Sequence, residues 1–217
     1  MQPSSCPLLS PSARSEKVLR SRAFSLRRVQ KVWASFAPIA LAGVLSAGCG
    51  DKAPPPNPPC ERDCQDAVAM RAVREMMKFA FNTTFQMKPV GFHDLTTDKF
   101  LPGSARVFGT AFSNGEQGVT EVNLTYVFTE AAYAKKQDEP DQNYLMALDA
   151  TITQTGNIAV QPSTPTALTM QSESVTLAGT VYDPAIPYTK TGCALDLRQN
   201  GNSVAGRFCG DLVGFEF

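Results

Sequence analysis

Along "CERDCQDAVAMRAVREMMKFAFN", apolar residues return every three or four positions: Ala69, Met70, Val73, Met76, Met77, Ala80 and Phe81. Arg71, Arg74, Glu75 and Lys78 fall on the opposite side. That period predicts one amphipathic helix whose Met and Phe stripe packs on the rest of the domain. Glu61, Asp63 and Asp66 crowd its first turns, where the helix dipole favours anions, and Lys78 stands near its end. After a segment that reads as loop, "NTTFQMKPVGFHDLTTDKFLPGS", the period changes to two. Val122, Leu124, Tyr126 and Phe128 alternate with Glu121, Asn123 and Thr125; Tyr144, Met146, Leu148 and Ile152 alternate with Asp149, Thr151 and Thr153. "VTLAGTVY" and "CALDLRQ" repeat the pattern. Strict alternation with one polar face marks half-buried antiparallel strands. Asn114-Gly115, "DEPDQN", Thr155-Gly156-Asn157, "DPAIPY" and Asn200-Gly201 supply the turns between them. About nine strands between Ala105 and Phe217, with no helices interleaved, predict a mainly β (α+β) fold. The expected architecture is an antiparallel β-barrel or sandwich with one N-terminal helix.

The start of the chain follows neither period. Val32 to Gly50 is uncharged, but Pro38, Gly43, Gly48 and Gly50 break it, so its apolar part is only "APIALAGVL". That is the length of a signal-peptide core rather than of a membrane span, and Arg20, Arg22, Arg27, Arg28 and Lys31 precede it as a basic flank. The segment ends Leu45-Ser46-Ala47-Gly48-Cys49. This resembles the lipobox of bacterial lipoprotein precursors, although Ser46 stands where an aliphatic residue is usual. The resemblance implies cleavage before Cys49, lipidation of Cys49 and a membrane-anchored mature chain. Gly50 rather than Asp after the cysteine resembles lipoproteins passed on to the outer membrane. Residues 1–48 thus read as leader, 49–59 as lipidated cysteine and Pro-rich tether, and 60–217 as one globular domain. Five prolines in "GDKAPPPNPP" favour a semi-rigid extended spacer reaching up to roughly 30 Å.

Net charge zero conceals two halves: the leader carries +6 and the remainder −6. An acidic mature chain with no basic cluster beyond Lys135-Lys136 lacks the footprint of a nucleic-acid binder. The partners it suggests are the membrane, through the N-terminal lipid, and an envelope protein or small ligand.

Apart from Cys6 and Cys49, four cysteines remain: Cys60, Cys64, Cys193 and Cys209. An even number in an exported domain reads as disulfides, with three pairings open. A hairpin turning at Asn200-Gly201 brings Cys193 near Cys209, leaving Cys60 for Cys64. In a regular hairpin of that register Cys193 faces Phe208, so a bulge at Gly206 is expected to restore the pair.

Candidate chemistry is sparse. His93 is the single histidine, and with Asp94 and Asp98 it forms the one ligand-like grouping. A metal site needs three or four ligands, and His93 reads instead as a loop residue beside turn-forming aspartates. "DEPDQN" offers oxygens (Asp138, Glu139, Asp141, Asn143) without calcium-loop spacing and reads as a solvated turn. No G-x-S-x-G elbow and no phosphate-cradling glycine loop occurs, and no cofactor is expected. The pattern therefore points to a non-catalytic envelope module that binds or supports. One alternative is a calycin-like carrier of a small apolar ligand, although Trp33 lies in the leader and the lipocalin G-x-W is missing. Another is a hydrolase using paired carboxylates, which come together only in space.

Overall fold

The computed structural model describes residues 57–160 and 164–217. The leader, Cys49 and most of the tether lie outside the described residues. A helix, α1 (Arg62–Thr84), is followed by eight strands: β1 (Gly91–Thr97), β2 (Ser104–Asn114), β3 (Val119–Lys135), β4 (Tyr144–Ala159), β5 (Ala167–Val181), β6 (Ile186–Asn200), β7 (Ser203–Phe208) and β8 (Asp211–Glu216). They form one antiparallel sheet in which every strand pairs with its neighbour in sequence. The fold is mainly antiparallel β with one helix, as the periods predict.

Strand phase follows the sequence closely. Tyr144, Met146, Leu148 and Ile152 of β4 are buried, while Asp149, Thr151 and Thr153 between them are exposed. The eight strands replace about nine because bulges carry single strands through breaks in the alternation. In β3, Thr129 and Glu130 together oppose one residue of β4, and Ala131 resumes the inward phase. Glu130 sits at φ 47, and its N–H donates to Asp149 Oδ1 at 2.7 Å, which holds the bulge. A second irregularity at Glu173-Ser174 joins the two halves of β5. Conversely, Gly91–Thr97, read as loop, is a strand on the edge of the sheet. Its alternation is too short and too polar to stand out without β2 as a partner.

The helix is not a lid with one wet face. All residues from Val68 to Val73 are buried, Arg71 included at 9 % exposure. Six consecutive positions cover more than a full turn, so this part of α1 is enclosed on every side. The first half of α1 runs beside β8, where Arg62 Nη2 reaches Asp211 Oδ2 at 2.6 Å and Arg71 Nη2 donates to the Glu216 carbonyl at 3.0 Å. At its far end Phe85 packs edge-on against His93 of β1. The helix therefore links the two edge strands, and the sheet curls around it. Glycines let neighbouring strands come close where the sheet bends: at Gly156, φ 122, a side chain would strike the Ala167 carbonyl of β5.

The expected solvent face of the helix is corrected accordingly. Arg71 donates to the Asp141 carbonyl and, at 3.3 Å, to its carboxylate, and it stacks over Phe215. The "DEPDQN" turn is solvated as expected at Asp138, Glu139 and Asp141, yet through Asp141 it also clasps the helix, and Pro140–Gln142 forms a single 3-10 turn. The tether also joins the fold before Cys60. Tyr182 O–H donates to the Pro58 carbonyl at 2.6 Å, and Asn57 reaches the Asp183 carbonyl at 3.3 Å.

Candidate binding site

Between the second half of α1 and one end of the sheet lies a cavity of about 260 Å³. Helical periodicity brings Arg74, Met77, Lys78 and Phe81 to it, and strand periodicity brings Tyr126 of β3, Gln154 of β4 and Gln199 of β6. Ile158 and Phe217 complete the apolar wall. Tyr126 is fully buried and Gln154 is 2 % exposed, yet Tyr126 Oη and Gln154 Oε1 have no hydrogen-bond partner among the described residues. Burying such groups unpaired costs roughly 1–3 kcal/mol each, and sites where a fold accepts that cost call for an explanation.

Arg74 is held from two directions. Its Nε–H donates to Gln199 Oε1 at 2.7 Å, and Gln199 Nε2 in turn donates to the Gly201 carbonyl at 2.8 Å. Its guanidinium carbon lies 5.8 Å from the Phe217 ring centre. Loss of hydration lowers its pKa, against smaller raising effects from Tyr126 and Glu75. Burial raises the pKa of Tyr126 well above that of a free phenol, so its hydroxyl stays a neutral donor. Among the described lining residues Glu75 is the one carboxylate, against the two cations Arg74 and Lys78.

A second polar cluster sits at the other end of α1. Asp66, 1 % exposed, accepts from Tyr188 O–H at 2.5 Å and pairs with Lys190 Nζ at 3.3 Å. Burial and then the bond to Asp66 raise the Tyr188 pKa. Asp66 stands in the first turns of α1 as expected and also ties the helix to β6. Tyr188 and Lys190 both meet Oδ1, Arg62 Nε lies 3.9 Å from Oδ2, and we read the cluster as structural. A larger depression of about 730 Å³ lies over the β5 bulge, but its floor is strand surface bearing Thr151, Thr153 and Gln171.

The residues singled out in the sequence fall as follows. Cys193 and Cys209 lie at disulfide distance with Cα atoms 4.7 Å apart, and Cys60 and Cys64 do so at 5.2 Å. The route to the first pair differs from expectation. Asn200 pairs with Ser203, so the turn is Gly201-Asn202 and β6–β7 runs without a bulge at Gly206. Cys209 instead occupies the β7–β8 turn at φ 51, followed by Gly210 at φ 88, and this swings its side chain back to Cys193. Gly206 answers a different need: a side chain there would strike the Asp196 carbonyl.

His93, Asp94 and Asp98 are not brought together as a site. The His93 ring N–H bonds the Pro89 carbonyl at 2.8 Å, whereas Asp94, on the opposite face of β1, forms a two-point pair with Arg106. That guanidinium holds the Asp94 carboxyl below its ordinary pKa. Asp98 is exposed beyond the strand end. Among the described residues no three His, Cys, Asp or Glu side chains form a metal-binding group. Sequence reasoning missed Arg74, Gln154 and Gln199. Extending the inward phase of β4 from Ile152 by two positions reaches Gln154, so a glutamine inside a strand was the available signal.

In comparison with known proteins, no family model matches the chain, and neither a curated protein nor a solved structure matches it.

Proposed function

We propose that this chain is a lipid-anchored protein of the bacterial cell envelope whose folded domain binds a small molecule in the cavity beside Arg74. The anchoring half of this reading rests on the sequence: the basic flank, the short apolar segment and the small residues before Cys49. The binding half rests on one observation: Tyr126 and Gln154, which line the cavity, each carry a buried polar atom with no partner among the described residues. The concave face of the sheet is occupied by α1 with Met70, Met76 and Met77, so the cavity sits at one end rather than along a calycin-like axis. Paired-carboxylate hydrolysis needs two acidic groups across the substrate, and the cavity lining presents Glu75.

The anchoring is tested by expressing the full chain in a bacterial host fed an alkyne-tagged palmitate. The wild type should carry the label in the membrane fraction, with Cys49 as the mature N-terminus by mass spectrometry. Cys49→Ala should lose both label and membrane association. An unmodified Cys49 thiol in the mature wild-type protein would overturn the reading.

A further inference from the structure

Two arginines on one helix, three residues apart, are used in contrasting ways. Arg71 spends its terminal nitrogens on Asp141 and Glu216. Arg74 is fixed at Nε by Gln199 and on its face by Phe217, while its terminal nitrogens make no hydrogen bond or ion pair with the described residues. An immobilised guanidinium with its fork unspent is a preorganised receptor for a planar pair of oxygens. Tyr126, which lines the same cavity, carries a hydroxyl with no partner among the described residues and is a further donor. Gln154 Oε1 presents the complementary demand, an acceptor that needs an N–H or O–H. Met77, Phe81 and Ile158 form an apolar wall between these polar groups.

Size and charge narrow the ligand. At about 260 Å³ the cavity lies just under the ~300–1,000 Å³ of drug-sized sites, or the volume of roughly eight or nine waters. Two cations and one carboxylate at its lining favour a single negative charge over two. We infer that the cavity binds a small monocarboxylate with a compact apolar body and a hydrogen-bond donor at its far end, the carboxylate seated on Arg74 and Tyr126 and the donor on Gln154. This inference rests on the reading of the domain as a binding module and names the ligand class of that site.

The probe is 4-hydroxybenzoate, compared with its neutral analogue 4-hydroxybenzyl alcohol, titrated into the purified full chain. Calorimetry should show saturable binding of the acid at least about tenfold tighter than of the alcohol, because the charge-assisted bonds are lost in the latter. The methyl resonances of Met77 and Ile158 should shift with the same midpoint. Arg74→Gln should weaken acid binding by at least about tenfold and abolish the preference over the alcohol. Tyr126→Phe, which keeps the ring and the packing, should weaken it several-fold, and carries the test if the Arg74 variant fails to fold. Equal affinity for acid and alcohol, or an Arg74→Gln protein that keeps the preference, overturns the monocarboxylate assignment while leaving a binding domain in place. Absence of any methyl shift with either probe at millimolar concentration overturns the site itself. Neither result bears on lipidation at Cys49, so the envelope reading stands or falls separately.

Discussion

Tyr188 O–H donates to Asp66 Oδ1 at 2.5 Å, joining β6 to the second turn of α1 across 122 positions of sequence. Around that bond, Lys190 and Asp66 form a pair in which both side chains are largely withdrawn from water. Removing one member of such a cluster strands the other. Asp66→Ala should therefore destabilise the fold by about 3–5 kcal/mol in urea unfolding. Asp66→Asn, which keeps an acceptor for Tyr188, should cost less. Equal losses would show that the charge pair with Lys190, not the Tyr188 bond, dominates.

The cysteine pairs should differ in their contribution. Cys193 and Cys209 close a separation of 16 residues and Cys60 and Cys64 one of 4. In the chain-entropy model these stabilise by roughly 3 and 2 kcal/mol respectively. The turn position of Cys209 adds a sharper expectation, since φ 51 is costly for a side chain and free for glycine. Cys193→Ser with Cys209→Gly should be more stable by about 1 kcal/mol than Cys193→Ser with Cys209→Ser. Thermal unfolding of the two double variants decides it.

Asp94 gives a pH dependence with a definite sign. Arg106 lowers its folded-state pKa, so its contribution is present above the unfolded value of about 3.9 and is lost as pH falls through the lower folded value. The side-chain carboxyl resonance of Asp94 should titrate below about 3.9, and Arg106→Gln should return it to that value. Near pH 5–7, above both values, this carboxyl adds no slope, so the two stability curves should run parallel with the wild type the more stable.

Tyr126→Phe removes a buried hydroxyl that the fold leaves unpaired. The ligand-free variant should be at least as stable as the wild type, by up to about 1–3 kcal/mol. A clear loss of stability would show that the hydroxyl already has a good partner.

Much of this fold is legible in the sequence because it depends on periodicity. The inward sets of β3 and β4, from Val122 to Phe128 and Tyr144 to Ile152, need only the alternation of side chains across a strand. What is not legible depends on closure. Nothing local to Arg71 or Arg74 indicates that a curled sheet will surround the helix, and by helical spacing both belong on its wet side. Likewise β1 is defined by its register with β2, from Gly91 opposite Ala111 to Thr97 opposite Ala105, more than by its own residues. The cysteine pairing follows from proximity in a hairpin, but the turn that delivers it depends on Cys209 adopting a left-handed backbone. That choice is made by the two-residue β7–β8 connection, which residue type alone does not specify.

The bond from Tyr182 to Pro58 has a consequence for how the molecule meets its surroundings. Tyr182 stands just past the end of β5, and Thr166, which borders the Arg74 cavity, stands just before its start. Fifteen residues of strand, on the order of 50 Å of contour, separate the two. The chain therefore enters the fold beside one end of β5, and the cavity lies beside the other end. A solute could therefore reach the cavity without passing the segment by which the chain enters the fold.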